Sequence, residues 1–321
     1  MSDPRGHLRP LVALFLENLL VKGKSEETAK TYQGRLLEFL AWCDDRELVH
    51  AQDVTRQHLE RYQRQLFHRT ATTGKNKGER LSAKSQHGHL SALKSFFRFL
   101  VRQELISANP AADLEMPSIK DTLPKDVLTV LEAEAILSRP DLSTPLGVRD
   151  RAILELLFAT GIRRSELCAL SIYDLDAARR TLHIKKGKGG KERIVPTGER
   201  ALFFVEDYLR RARPALASGS SMALFLTNKG AGILEGTLSR RVATYVQEAS
   251  VGKEGSCHLF RHTMATLMLE GGADVRFIQA MLGHRDLGTT EVYTHVSIDA
   301  LKEVHLRTHP AAKLSRGMVE S

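Results

Sequence analysis

The sequence predicts a mainly α, multidomain chain: a small all-α domain, a linker, and a larger, mostly helical domain with one small antiparallel sheet. Three observations carry this prediction. Hydrophobic residues recur at helical spacing through the first third of the chain. A stretch rich in prolines and turn pairs, residues 107–125, breaks that periodicity. Beyond it helical patterning returns, interrupted by two short β-type runs around a Gly/Lys tip.

The elements follow in order. Leu11, Leu14, Phe15 and Leu19 fall at the spacing of one helix. Ser25 is placed to cap a second, with Glu26 and Glu27 in the first turn, where the macrodipole favours acids. Tyr32, Leu36, Phe39, Leu40 and Cys43 share its inner face. Thr55 caps a third helix through Leu59, Tyr62 and Leu66. Residues 69–80, rich in Thr, Gly and Lys, read as a loop. From about Ser82 a fourth helix turns Leu90, Leu93, Phe96, Phe97 and Leu100 inward. Asn109-Pro110, Pro117 and Pro124 mark the linker. In the second domain Thr129-Val130-Leu131-Glu132 reads as a capping box, and a long helix ends at Gly161. Thr181–Lys185 and Glu192–Val195 form a hairpin around Gly187–Lys191, with Phe225-Leu226 expected as a third strand. Helical patterning then runs to about Leu306. The expected boundaries are a helical domain at 1–115, a linker at 116–127, a second domain at 128–312, and a disordered tail at 313–321.

Composition narrows the function classes. A chain of 321 residues buries adequate cores without staples. Its formal net charge of +9, with pI near 9.5, favours a polyanionic partner, because cations that meet phosphates release condensed counterions. Residues 1–115 carry +4 and the remainder +5, so no polybasic tail explains the total. Cys43, Cys168 and Cys257 are few and scattered, which argues against a disulfide framework and for a reducing compartment. The apolar run at Leu11 is cut short by Glu17, and Ala152–Thr160 carries Glu155 and is too short to span a bilayer. The chain thus reads as soluble, cytoplasmic and in contact with DNA, with no membrane role.

Five local features carry candidate chemistry, and each has a plainer reading. In Thr160-Gly161-Ile162-Arg163-Arg164-Ser165-Glu166-Leu167, Gly161 ends one helix and Arg163 precedes the next. A guanidinium there can hold a phosphate bidentately, with Glu166 orienting it; the alternative is a surface Arg–Glu pair. Lys188, between Gly187 and Gly189, sits on a tip that can bring an ammonium to a phosphate. Lys185, Lys186 and Lys191 can do so less selectively, and a solvated turn is the plainer reading. The segment is no P-loop. His258 and Arg261 are i and i+3 on one helix face. His258 and His262 have the spacing of a helical zinc pair, but the glutamate of H-E-x-x-H and a third ligand are missing, so no metal is assigned. His284 follows Gly283 at a helix end, where a lone histidine is commonly just polar surface. Tyr293 is one of six tyrosines and is alternatively a packed aromatic.

Together the features are coherent. Two arginines neutralise the non-bridging oxygens of a phosphodiester, and a phenolate can attack phosphorus and store the bond as a phosphotyrosine. A lysine can protonate the departing sugar oxygen. The phenol, with an ordinary pKa of about 10, needs neighbouring cations or a base to ionise.

The order Arg163, Lys188, His258-x-x-Arg261, His284, Tyr293 resembles the tyrosine recombinase (phage integrase) family, and its Xer-type branch in particular. The stretches "ATGIRRSELCAL", "KGKGGKERIVPTG", "HLFRHTMATLMLEGGADVRFIQAMLGHRDLGTTEVYTHV", "NPAADLEMPSIKDTLPKDV" and "VHLRTHP" carry the likeness, from about Phe15 to Pro310. The resemblance implies an N-terminal SAM-like core-binding domain of four to five helices and a catalytic domain, closing as a C-shaped clamp on duplex DNA. It implies that Arg163 and Arg261 clamp the scissile phosphate, with Glu166 supporting Arg163. His258 would give acid/base support to the nucleophile, Lys188 would protonate the 5′ oxygen, and His284 would hydrogen-bond the phosphoryl oxygens. Tyr293 would become a 3′-phosphotyrosine on the way to a Holliday junction, with no metal, ATP or other cofactor. Four protomers would join two DNA sites with inverted half-sites, as a homotetramer or with a sister recombinase or accessory protein. The helix after Tyr293, near Ser297–Leu306, would dock on the neighbouring protomer in a cyclic contact.

The 69–80 loop is longer and more basic than the compact Xer type and resembles recombinases of plasmids and mobile elements. The biological role is therefore open between dimer resolution and mobile-element integration or excision. Two other readings stand beside this one. A type IB topoisomerase shares the chemistry, but the helical first domain and the tail "VHLRTHP" speak against it. A DNA-binding protein that lost catalysis is opposed by the complete set of six side chains.

Overall fold

The computed structural model describes residues 6–71, 77–119, 127–185, 192–283 and 298–310. Two compact units divide the chain, Met1–Thr122 and Leu123–Ser321.

The first unit contains four α-helices among its described residues: α1 (Leu8–Val21), α2 (Glu26–Asp44), α3 (Arg56–His68) and α4 (Ala83–Arg102). A single 3₁₀ turn, Ala51–Asp53, joins α2 to α3. Three starts are set by local caps. Ser25 accepts from the Thr28 amide, Ser82 accepts from the Ser85 amide, and Thr55 and His58 cap reciprocally. The start of α1 has no side-chain cap; the Leu8 amide donates to Val49 O at 3.0 Å instead. Leu36, Phe39, Leu59, Leu90, Phe96, Phe97 and Leu100 are fully buried, as the periodicity predicts. Leu14 departs from that pattern: it is 44% exposed, and the inward stripe of α1 is Leu8, Leu11, Val12, Phe15 and Leu19. Phe39 stacks on Trp42 and meets Tyr62 edge-on, with centroids 5.9 and 5.1 Å away. Each such pair contributes about 0.5–1.5 kcal/mol beyond burial.

The ends of the 69–80 loop are paired. Ala71 N donates to Glu79 O and Leu81 N to Arg69 O, both at 2.8 Å. Beyond α4 the chain stays on this unit: Ala111 and Leu114 are buried in its core, and Lys94 Nζ donates to Leu114 O at 2.8 Å.

The second unit is built around α6 (Pro145–Thr160), buried at every residue from Gly147 to Thr160. α5 (Val130–Leu137) precedes it, started by the capping box of Thr129 and Glu132. α7 (Arg164–Cys168) follows it. Next come strands β1 (Leu175–Asp176), β2 (Thr181–Ile184) and β3 (Arg193–Pro196), then helices α8 (Glu199–Asp207), α9 (Arg213–Leu216), α10 (Glu235–Glu248), α11 (Cys257–Glu270), α12 (Val275–Leu282) and α13 (Ile298–Thr308).

The sheet is antiparallel in the order β1-β2-β3, with Leu182 opposite Val195 and Ile184 opposite Arg193. The hairpin is thus present, its second strand shifted by one residue from the expected span. The third strand is β1, not Phe225-Leu226. The backbone of the latter is satisfied otherwise: Leu226 N donates to Tyr208 Oη and Phe225 O accepts from Ile233. A two-residue strand such as β1 has no periodicity for a sequence to display.

In the single chain the tail helix α13 packs on its own unit. Val304 joins Met264, Met268, Ile278, Met281 and Leu282 in a small apolar cluster. His305 and His309 stack at 4.4 Å and reach Ala159 O and Phe158 O at 3.1 and 3.0 Å. The physical reason lies in α6, whose last carbonyls have no intrahelical partner; the two imidazoles occupy them. Among the described residues no helix is long and apolar enough to cross a membrane.

Candidate active site

The site forms where three elements of the second unit end. The first is the exit of α6. Gly161 adopts a left-handed φ of 58°, stopping the helix and turning the chain toward Arg163. A Cβ at this position would lie 2.2 Å from Met264 Cε and 3.0 Å from Leu282 Cδ2, so the turn is tight as well as left-handed. Arg163 is the N-cap of α7, in extended backbone. Glu166, one turn on, accepts from the Arg163 amide at 2.9 Å and from Arg163 Nη1 at 2.8 Å. The pair expected from the sequence is therefore formed, and the carboxylate is buried.

The second element is α11, with His258 and Arg261 one turn apart. Arg261 is 6% exposed. Its Nη1 donates to Gly161 O at 2.6 Å and its Nη2 to Leu282 O at 2.8 Å. Burial first, then the field of Arg163, lowers its pKa to about 10, so it stays charged at neutral pH. A guanidinium depressed by a neighbouring guanidinium marks a place where an anion is welcome. His258 is exposed and has its pKa lowered, by desolvation and then by Arg261, His262, Arg164 and Arg163. It therefore favours the neutral form, able to accept a proton.

The third element is the end of α12, where Gly283 takes a left-handed φ of 62°. Arg163 Nη2 donates to Gly283 O at 3.0 Å. The structure thus brings Arg163, Glu166, His258 and Arg261 to one place. Lys188, His284 and Tyr293 lie outside the described residues. The strands β2 and β3 that flank Lys188 are described, and so is the helix end before His284.

Sequence reasoning missed Arg193. Its guanidinium holds Glu166 bidentately, Nη1 to Oε1 at 2.9 Å and Nη2 to Oε2 at 2.8 Å, and its Nε donates to Met281 O at 2.9 Å. Burial pushes the Glu166 pKa up, but Arg193 and then Arg163 outweigh it and hold the carboxyl below its ordinary range. A signal was present: strand alternation puts Arg193 on the same face as buried Val195. Of the hairpin lysines, Lys185 is described. Lys185 is engaged by buried Asp174 at 2.6 Å, and so is not a free cation of the tip.

Comparison with known proteins now fixes the family. The phage integrase family model matches residues 126–299, and the phage integrase N-terminal SAM-like domain matches residues 12–104. The chain belongs to the phage integrase family. This integrase is 47% identical to "Tyrosine recombinase XerC 2" of Ralstonia nicotianae over 96% of the chain and 88% of the relative. It is 37% identical to "Tyrosine recombinase XerD" of Pseudomonas aeruginosa over 94% of the chain and 97% of the relative. Its fold is shared with a solved lambda integrase tetramer bound to a Holliday junction, at TM-score 0.66 and 20% identity, over 91% of this chain and 78% of that one. As a member of the tyrosine recombinases, this integrase is a DNA-cleaving and rejoining enzyme of the Xer type.

Proposed function

We propose that the chain is a site-specific recombinase that cleaves and rejoins duplex DNA through a 3′-phosphotyrosine at Tyr293. The observation that carries this reading is the meeting of Arg163 and Arg261 at the carboxyl end of α12, beside the exit of α6. Two guanidiniums in a partly dry site neutralise charge that grows on phosphoryl oxygens in the transition state. His258, held in the field of both, accepts or relays the proton of the nucleophile. Lys188, in the segment that links β2 to β3 in sequence, protonates the departing 5′ oxygen. His284, following Gly283, donates to the phosphoryl group.

The buried tyrosines make poor alternatives to Tyr293. Tyr245 donates to Asp150 Oδ2 at 2.8 Å, and burial, then Asp150, raises its pKa. Burial likewise raises Tyr62 and Tyr208. A phenol whose pKa is raised ionises less readily.

The chain acts in the cytoplasm on DNA with inverted half-sites, as a homotetramer or with a sister recombinase. The task is dimer resolution or mobile-element integration or excision.

The test uses a pool of nicked duplexes with random inverted half-sites. The wild-type chain is expected to form a covalent adduct visible on a denaturing gel. Tyr293→Phe is expected to retard the same DNA and form none. An adduct with Tyr293→Phe would move the nucleophile elsewhere and overturn the reading. Strand exchange between two captured sites separates recombination from relaxation of any supercoiled plasmid.

A further inference from the structure

Three consecutive carbonyls close the end of α12, and each accepts from a different arginine. Met281 O accepts from Arg193 at 2.9 Å, Leu282 O from Arg261 at 2.8 Å and Gly283 O from Arg163 at 3.0 Å. The last carbonyls of a helix lack intrahelical partners and carry its partial negative charge, so a guanidinium is a fitting cap. Two of these arginines belong to the proposed phosphate clamp. The third, Arg193, stands behind them, on Glu166 and Met281 O. It opens β3, five residues after Lys188, and its side chain is 13% exposed.

Its geometry is that of a brace. One edge of the guanidinium takes both oxygens of Glu166, and Nε takes Met281 O. Glu166 in turn holds Arg163 by Oε1 and by the backbone amide. A Cβ on Gly283 would lie 3.2 Å from Arg193 Cζ, so the guanidinium fits closely against the helix end. A single side chain therefore connects the lysine hairpin, the carboxylate behind Arg163, and the helix that leads to His284.

We infer that Arg193 is a positioning residue for DNA cleavage: through Glu166 and Met281 O it fixes the Arg163 guanidinium and the start of the His284 segment relative to the hairpin. The inference rests on the reading of Arg163 as a phosphate clamp. A lysine cannot replace the brace, because an ammonium is a point charge and cannot hold two carboxylate oxygens and a carbonyl in one plane.

The test measures single-turnover cleavage on a duplex captured by the wild-type chain. One version carries a phosphodiester at the scissile position and the other a methylphosphonate, which lacks one negative oxygen. The variants are Arg163→Ala, Arg193→Ala, Arg193→Lys and the Arg163→Ala/Arg193→Ala double. Arg193→Ala is expected to bind the duplex as wild type does and to cleave the phosphodiester about 10²-fold more slowly, the cost of a small misplacement of a clamp. Arg193→Lys is expected to recover less than about a tenth of the lost rate, because the fork is missing. The double variant is expected to match Arg163→Ala, since a residue acting through Arg163 has nothing left to act on. On the methylphosphonate the gap between wild type and Arg193→Ala is expected to narrow.

If Arg163→Ala is slow while Arg193→Ala and Arg193→Lys match wild type, the inference is wrong and the clamp reading stands. Losses that multiply in the double variant overturn it as well, as does a gap unchanged on the methylphosphonate. If Arg163→Ala itself cleaves at the wild-type rate, the reading of the site falls, and the inference with it. Should Arg193→Ala fail to fold, Arg193→Lys carries the same comparison.

Discussion

Phe39 and Glu155 are equally out of reach of water, at 0% and 1% exposed, and are held there by different physics. Phe39 belongs to a unit whose core is hydrocarbon and aromatic rings; among the described residues its buried polar groups include Gln86, the Tyr62 hydroxyl and the Trp42 indole, and no charged side chain is buried there. Glu155 sits on a helix that carries Arg149, Asp150 and Arg151 into the interior of the other unit. Each charge there has a partner. Arg151 and Arg200 converge on Glu155 at 2.9 and 3.0 Å, and Arg200 also holds Glu134 at 2.8 Å. Arg149 pairs with Asp150, which also accepts from Tyr245. An apolar interior tolerates repacking so long as volume is kept. A charged one demands geometry, because a lost partner leaves an uncompensated ion. The unit that carries the proposed phosphate clamp adds an interior of the second kind to an apolar core of its own.

The largest effect is expected for Glu155→Ala, which takes the buried carboxylate from two buried guanidiniums: a loss of about 3–5 kcal/mol in the second unit, with the first unit unchanged. Hydrogen exchange resolved by unit, in the full chain under denaturant, measures it. Equal loosening of both units would mean that the network is not local.

Leu36→Ala in the first unit is expected to cost about 3 kcal/mol, read by the same measurement, with DNA cleavage per folded molecule retained. A smaller loss, about 1 kcal/mol, is expected for Thr129→Ala, which removes one arm of the capping box of α5; the thermal midpoint of the second unit reads it.

Two pH effects follow from directions of shift. His258 has a lowered pKa, so it is neutral at pH 7, and cleavage is expected to rise with pH through a value below the ordinary 6.5 and then level off. A single-turnover pH profile checks this, and a plateau reached only above 6.5 would contradict it. His305 and His309 also have lowered pKa values, chiefly through burial. Their contribution to seating α13 is therefore complete above the ordinary value of 6.5 and is lost as pH falls below it, because the unfolded tail takes up protons first. A lower amide protection factor in α13 on mild acidification, taken against the slower intrinsic exchange at the lower pH, is the expected sign.

The parts of this design written locally were legible. Ser25, Thr55 and Thr129 cap helices where the sequence places them, because a cap is an interaction over three residues. The stripes of α2 and α4 were legible for the same reason. The charges of α6 were not, since their partners lie far along the chain: Arg200 is 45 residues from Glu155, and Tyr245 is 95 from Asp150. Arg163, His258 and Arg261 were named from their order and likeness, yet nothing in their spacing says that Arg261 meets Gly161, 100 residues away. Arg193 had only strand alternation to announce it. The expected third strand failed because an apolar pair resembles a strand whether its amides are met by a neighbour or, as at Leu226, by a phenol oxygen.

Gly161 shows how little separates an intact site from a slack one. Any side chain there would act as a wedge, driven between Met264 and Leu282 while straining a backbone that only glycine adopts with ease. The helices it would prise apart are those from which Arg261 reaches across and against which Arg163 leans. One methyl group at residue 161 would therefore blunt both guanidiniums at once without touching either, while leaving the hydrocarbon interior of the first unit as it was.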